Sequence, residues 1–253
     1  MKQYLTLIIC LFSINTYSQQ MGFNVVYVEA EPNSEDNIIE ALDGYFGAKK
    51  FKPGGAVALE RLWIGGPQDM SHRLVFLWEI GNQGFEEGEF NPIENQAFWS
   101  NIINRVESWG EGHAGRFINF VEGDVEKYPY VQIWDIIPQD PAAFAKAQSE
   151  FVESLPELFK DRFVGFGTYD INRPNGATHW ALLSGANLDD HLNFANEVQT
   201  TYSKKFKKYL EDRGEVELIH NFTFENKSFI KYKLFKKVFL KALLNKGFLF
   251  YIK

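Results

Sequence analysis

The polar and apolar positions change period in a fixed order from residue 24 onward. "NVVYVEA" (24–30) is rich in β-branched and aromatic residues and has strand length. "SEDNIIEALDGYFGA" (34–48) sets Ile38, Ile39, Leu42, Tyr45 and Phe46 at helical spacing behind Ser34, a residue type suited to an N-cap. "AVALERLWIGG" (56–66) and "SHRLVFLWEIG" (71–81) read as two strands joined through Gly65, Gly66 and Pro67. "NQAFWSNIINRVESW" (95–109) reads as a second helix, with Phe98, Ile102, Ile103 and Val106 along one side, and "RFINFVEG" (116–123) as a closing strand. The order is βαββαβ.

The same order follows in "YVQIWDII", "DPAAFAKAQSEFVESL", "RFVGFGTYDI", "THWALLSGA", one long helix over 188–214 and "EVELIHNFTFE". Asp140 followed by Pro141 is a strong helix start, and Gly214 suits a helix end that needs a left-handed residue. Sliding the chain against itself by 107 residues superposes Val26 on Ile133, Tyr27 on Trp134, Val57 on Val164, Ile64 on Ile171 and Pro67 on Pro174. Ser71 then falls on Thr178 and His72 on His179, so "PQDMSH" and "PNGATH" share one offset with the strands around them. The pattern predicts an internal duplication with two copies, too few for a solenoid.

Two βαββαβ units in tandem resemble the dimeric α/β-barrel superfamily, in which two ferredoxin-like sheets pack face to face as a homodimer or as fused halves. The resemblance covers residues 24–226 and rests on element order. It implies an α+β fold: two tandem ferredoxin-like units packed sheet to sheet as a fused dimeric α/β barrel. The residues agree, because strands apolar on both faces need cover on both. In "LVFLW", Leu74, Phe76 and Trp78 point one way and Val75 and Leu77 the other; in "VGFGTYDI", Val164 and Phe166 oppose Tyr169 and Ile171.

His72 and His179 begin the third strand of their units, His72 on one face with Leu74, Phe76 and Trp78. On one reading that face lines the space between the sheets, and the two histidines are catalytic candidates: a general base, a substrate donor or an axial haem ligand. On the other, each histidine and its neighbouring hydroxyl satisfies groups at the end of a hairpin, paired only by inheritance. Tyr27, Trp78, Trp134, Tyr169 and Trp180, with Trp63, would suit a pocket for a flat apolar ligand or, equally, ordinary core packing. The superfamily resembled includes cofactor-independent monooxygenases and haem-binding enzymes, so haem is the one cofactor it implies; none is otherwise expected, and no metal.

"GEGHAGR" (110–116) reads as a loop, since it lacks the strand-to-helix setting of a phosphate cradle. The acidic stretch 82–96, with Glu86, Glu87, Glu89 and Glu94, has no counterpart in the second unit and reads as a solvated insertion at the rim of the cavity. "DDH" (189–191) fits helix capping better than a metal site. No nucleophile elbow, zinc-protease motif or Walker loop occurs.

Charge and leader set the surroundings. Residues 1–20 have one lysine ahead of an apolar run from Leu5 to Ile14, as in a secretory signal peptide, and contain Cys10, the chain's single cysteine. Residues 19–226 carry 17 basic and 33 acidic residues, a balance that repels nucleic acid backbones. From Lys227 the last 27 residues hold eight lysines and no acid. Within 229–253, Leu234, Phe235, Val238, Phe239 and Ala242 oppose Lys233, Lys236, Lys237 and Lys241, which suits contact with an anionic membrane; the alternatives are docking on the acidic body or disorder, and a read-through peptide. The organisation expected is a leader at 1–20, units at 21–126 and 127–226, and a basic amphipathic tail at 227–253. The function expected is a secreted or periplasmic, monomeric protein that binds a small apolar or aromatic molecule between its sheets. The alternatives are a cofactor-independent monooxygenase-like or haem-dependent enzyme, and a structural or partner-binding protein without a cavity.

Overall fold

A computed structural model describes residues 20–231, so the leader and most of the basic tail lie outside the described residues. The first half runs β1 (Met21–Ala30), α1 (Glu35–Phe46), β2 (Ala56–Leu62), β3 (His72–Glu79), α2 (Pro92–Ile103) and β4 (Val106–Val121). The second runs β5 (Tyr130–Pro138), α3 (Pro141–Ser154), β6 (Val164–Ile171), β7 (His179–Gly185), α4 (Leu188–Thr200), α5 (Ser203–Asp212) and β8 (Val216–Lys231), with a single 3-10 turn at Pro174–Gly176 before β7.

All strand pairs are antiparallel, in the closed order β1-β3-β2-β8-β5-β7-β6-β4. Read from β4, this is the ferredoxin-like order 4-1-3-2 for the first half, followed by the same order for the second. The halves join edge to edge, β2 on β8 and β6 on β4, so the faces bare of helices become the inside of one barrel. The long fourth strands make the joins. β4 pairs with β1 along its first part and with β6 from Ala114 to Val121, and β8 passes from β5 to β2 around Phe224 and Glu225, with register shifts in each ladder.

Alternation sorts the strand residues onto two faces, one core inside the barrel and separate cores under the helices. Phe23, Val25, Ala58, Val75, Phe117, Ile133, Tyr169, Trp180 and Phe224 point inward. Val28, Val57, Leu59 and Leu74 point outward and bury against Ile38, Leu42 and Phe46 of α1 and Phe98 and Ile102 of α2. Fully burying a side chain of this size contributes roughly 1.5–3 kcal/mol, so both layers favour this register over a one-residue slip.

Asp140 caps α3 as expected, accepting from the amides of Ala142 and Ala143 at 2.9 and 3.0 Å, and Gly214 has a left-handed φ of 72° past the end of α5. Five local expectations are corrected. Ser34 does not cap α1 with its side chain; its hydroxyl donates to the carbonyls of Glu31 and Arg105. The helix expected over 188–214 is two helices, broken at Thr201 and Tyr202. The helix expected to continue through Val106 ends at Ile103, and "GEGHAGR" is strand within β4. β8 continues through residues 227–231, so the basic stretch begins inside the barrel wall.

Candidate functional site

Most strands change character along their inward face. Near one end of the barrel that face is apolar: Met21, Phe23 and Val25 on β1, Val75 and Leu77 on β3, Val131 and Ile133 on β5, and Leu182 on β7. These residues, with Phe117, Phe120, Phe163, Trp180 and Phe229, enclose a cavity of about 130 Å3 whose margin carries Glu122, Gly123, Asn226 and Lys231. Two residues further along the same strands the inward positions become Tyr27, Arg73, Glu60, Asp135 and Tyr169, and β8 and β4 add His220 and His113. A polar belt thus crosses the barrel as the cavity floor, and Glu60, Arg73 and Tyr169 reach the cavity.

The belt is internally bonded. Arg73 donates through Nε to Glu60, and its guanidinium lies 3.9 Å from the centre of the Phe224 ring. Tyr169 donates to Asp135 Oδ1 at 2.7 Å, and Asp135 Oδ2 is 3.8 Å from Nδ1 of His220, which is partly exposed. His113 donates from Nδ1 to the Asn172 carbonyl and meets the rings of Tyr27 and Tyr169 edge-on at 5.8 and 5.9 Å. Burial pushes the Tyr27 hydroxyl up to about 12, against the pull of Arg73, and raises Tyr169 well above its ordinary value, with Asp135 adding to the shift. Burial also raises Asp135 and Glu60, although Tyr169 and Arg73 oppose it at Asp135 and Arg73 opposes it at Glu60. One guanidinium faces two carboxyl groups here, so the floor has no surplus positive charge with which to hold an anion.

The sequence candidates divide between the two sides of the barrel wall. Tyr27, Tyr169 and Trp180 face inward, and Tyr169 and Trp180 line the cavity. Trp78 lies on the outer face over Gly22, and Trp134 packs towards Phe144 and Phe166 on the helix side. Trp63 is 51% exposed, its indole donating to Glu225. Both histidine candidates face the helices and not the cavity, because β3 and β7 present Arg73 and Trp180 inward, which turns their neighbours outward. His72 contacts Glu35 Oε2 at 2.8 Å through Nε2 and Ser71 Oγ at 2.9 Å through Nδ1, while Ser71 accepts from the Ala30 amide. His179 stacks on Phe166 at 5.3 Å, with Thr178 Oγ1 2.8 Å from Nδ1. The paired motif therefore ties strand ends to their surroundings. The stretch 82–96 does not border the cavity; Phe85 packs on Phe46 and Phe51, and Glu94 pairs with Lys49.

His113 and His220, missed in the sequence, are separated by the same 107 residues as His72 and His179. Four of the five histidines form two such pairs, and the second pair faces inward. Reading "GEGHAGR" as a loop removed His113 from the comparison. The ungapped shift also fails in the first strands, where Tyr27 pairs across to Arg73 and Asp135 to Trp180. The spatial counterpart of Tyr27 is thus Asp135, one residue beyond Trp134.

No protein-family model matches the chain, and no curated protein matches it. Among solved structures, a candidate monooxygenase from Lactobacillus acidophilus NCFM is 10% identical, with 84% of this chain and 97% of that chain covered and a TM-score of 0.56. The chain has the dimeric α/β-barrel fold. A candidate monooxygenase from Fusobacterium nucleatum is 15% identical over 85% of this chain and 95% of that one (TM-score 0.49). A haem-binding protein from Thermus thermophilus is 10% identical over 89% and 95% (TM-score 0.43). In this α/β barrel the cavity does not fit a haem: no histidine lines it, and about 130 Å3 is below the ~300 Å3 at which drug-sized pockets begin.

Proposed function

We propose that this α/β-barrel protein binds a small, largely apolar and uncharged molecule inside the barrel. The observation that carries the reading is a cavity of about 130 Å3, walled by phenyl and aliphatic side chains and floored by a charge-compensated belt. A dry cavity of ~150 Å3 with comparable walls takes up benzene, which sets the ligand at about one ring or a short branched chain. Toluene tests it. A ligand held by the native state alone raises stability by RT ln(1 + [L]/Kd), so saturating toluene is expected to raise the melting temperature. Filling the space by Ala58→Phe, or more gently by Val75→Leu, is expected to abolish that rise. No rise in the wild-type protein would defeat the proposal.

A second reading, an enzyme of the cofactor-independent monooxygenase kind, is favoured by one observation: Tyr169, a residue of the cavity lining, has its hydroxyl bonded to a buried carboxyl group with a part-exposed histidine behind it. Turnover that is lost in Asp135→Asn while toluene still binds would select it. The reading without a cavity has no support in this barrel.

We further propose that the protein is secreted or periplasmic, on the strength of its leader, and sequencing the mature N-terminus tests this. A monomer is supported by closure, since every strand already has two neighbours. For the tail we propose peripheral contact with anionic membrane, tested by vesicle sedimentation. The truncation must begin at residue 232, because Phe229 and Lys231 line the cavity.

A further inference from the structure

We infer that the molecule bound in the barrel carries one neutral polar group, a hydroxyl in the simplest case, and that the side-chain amide of Asn226 is its hydrogen-bond partner. The inference rests on the binding proposed above and specifies its chemistry.

β8 sets Asn226 on the inward face. The residue pairs directly with Glu60 of β2 and stands two positions beyond Phe224, and all three line the cavity. Cross-strand partners and alternate residues of one strand share a face. The ladder then slips: Glu60 pairs with Asn226 but Leu59 with Ser228, so β8 carries one extra residue, Lys227, at this point. That bulge lets Asn226 and Phe229, three residues apart, both line the cavity. The residues between them turn away, Lys227 to Glu225 at 3.1 Å and Ser228 to Asp43 of α1 at 2.7 Å.

Nothing among the described residues answers the amide. The Asn226 backbone N–H donates to the Pro129 carbonyl at 2.9 Å, which satisfies the main chain. Its side chain makes no hydrogen bond there, and neither of its polar atoms is among the buried unpartnered ones, so both keep accessible surface. An asparagine placed inward by a bulge and left open is able to bond a ligand.

The other polar groups of the lining narrow the class of that ligand. Glu60 and Arg73 bond each other, and Tyr169 donates to Asp135. Glu122 and Lys231 at the margin bear opposite charges, so the lining as a whole has two cations and two carboxyl groups and favours neither sign. An amide both donates and accepts, and a hydroxyl is the smallest neutral group that does the same. Apolar wall adjoins it: Val131 pairs with Phe224, and Ala58 with Phe229. A one-ring alcohol therefore finds partners for both its parts side by side.

The test pairs benzyl alcohol with ethylbenzene, which has a methyl group in place of the hydroxyl, against the wild-type protein and Asn226→Leu. Leucine keeps the branching of asparagine and removes both polar atoms without breaking a side-chain bond, so the variant is expected to melt near the wild-type temperature. Asn226→Leu is expected to weaken benzyl alcohol about fivefold, the effect of one lost neutral hydrogen bond, and to leave ethylbenzene unchanged. In the wild-type protein the Asn226 side-chain amide resonances are expected to move with benzyl alcohol beyond any shift that ethylbenzene causes. This readout stands even if the variant does not fold. Equal effects of the substitution on the two ligands, amide signals that respond to both alike, or binding of ethylbenzene without benzyl alcohol would overturn the inference and leave the cavity reading intact. Failure of toluene and of both these ligands to bind would remove the cavity reading, and this inference with it.

Discussion

Tyr169 and Asp135, 34 residues apart on neighbouring parts of the barrel wall, share a 2.7 Å hydrogen bond at the cavity floor. Tyr169→Phe deletes the donor and leaves a buried carboxyl group short of a partner, at a cost of about 1–3 kcal/mol. Burial raises the Asp135 pKa above its ordinary 3.8, so the native state holds this proton more tightly than the unfolded chain does. The contribution of Asp135 to stability is therefore present at low pH and declines as pH rises from 3.8 through the raised value. Thermal melts between about pH 4 and 8 are expected to show a Tyr169→Phe penalty that grows with pH. Asp135→Asn, which keeps an acceptor for Tyr169 without the charge, is expected to lessen that dependence; a penalty constant across the range would contradict the assignment.

Asp190 works with the opposite sign. Arg162, nearly buried, makes two bonds to its carboxylate at 2.6 and 2.7 Å and a third to the Ser184 carbonyl. Those bonds hold the Asp190 pKa below 3.8, so its stabilisation is complete above 3.8 and is lost as pH falls through the lowered value. Removing Asp190 leaves Arg162 with only its two carbonyl partners, Leu158 and Ser184, and Asp190→Ala is expected to cost about 1–3 kcal/mol near neutral pH. Urea titration measures it, and the deficit should narrow below pH 3.8.

His72→Ala separates the two readings of the repeated motif. The imidazole bridges Ser71 and Glu35, tying the start of β3 to the first turn of α1. Its loss is expected to lower stability by roughly 0.5–1.5 kcal/mol for each bond, with toluene affinity unchanged because His72 lies outside the barrel. Weaker toluene binding at unchanged stability would return His72 to the site.

Much of the fold was legible because periods of 2 and 3.6 alternate cleanly from Asn24 to Glu225, and apolar residues on both faces of "LVFLW" required two covering layers. Which face met which layer was not legible: Leu74 and Val75 are equally apolar, and only the partners of the strand place Val75 in the barrel. The belt stayed hidden because its members are single polar residues within apolar strands, as with Glu60 in "AVALERL", and an exposed face predicts the same letter. β4 was misread because glycine and charge in "VESWGEGHAGR" mimic a loop, although its glycines let neighbouring groups approach: a Cβ at Gly115 would strike the Thr168 carbonyl.

Gly167 shows the same device at the cavity wall, and Gly167→Ala follows from it. The added methyl would overlap both the six-membered ring of Trp180 and the carbonyl oxygen of Arg116 on β4. Neither can retreat freely, since Trp180 is held by Phe117 and Phe23 and the Arg116 carbonyl belongs to the β4–β6 join. Overpacking of this kind costs typically about 1–3 kcal/mol. A second substitution, Trp180→Phe, removes one of the two obstacles and is expected to recover part of the loss, so the double variant should be more stable than the sum of the single effects predicts. Chemical denaturation of the four proteins measures the coupling, and strict additivity would mean that the Arg116 carbonyl alone sets the cost.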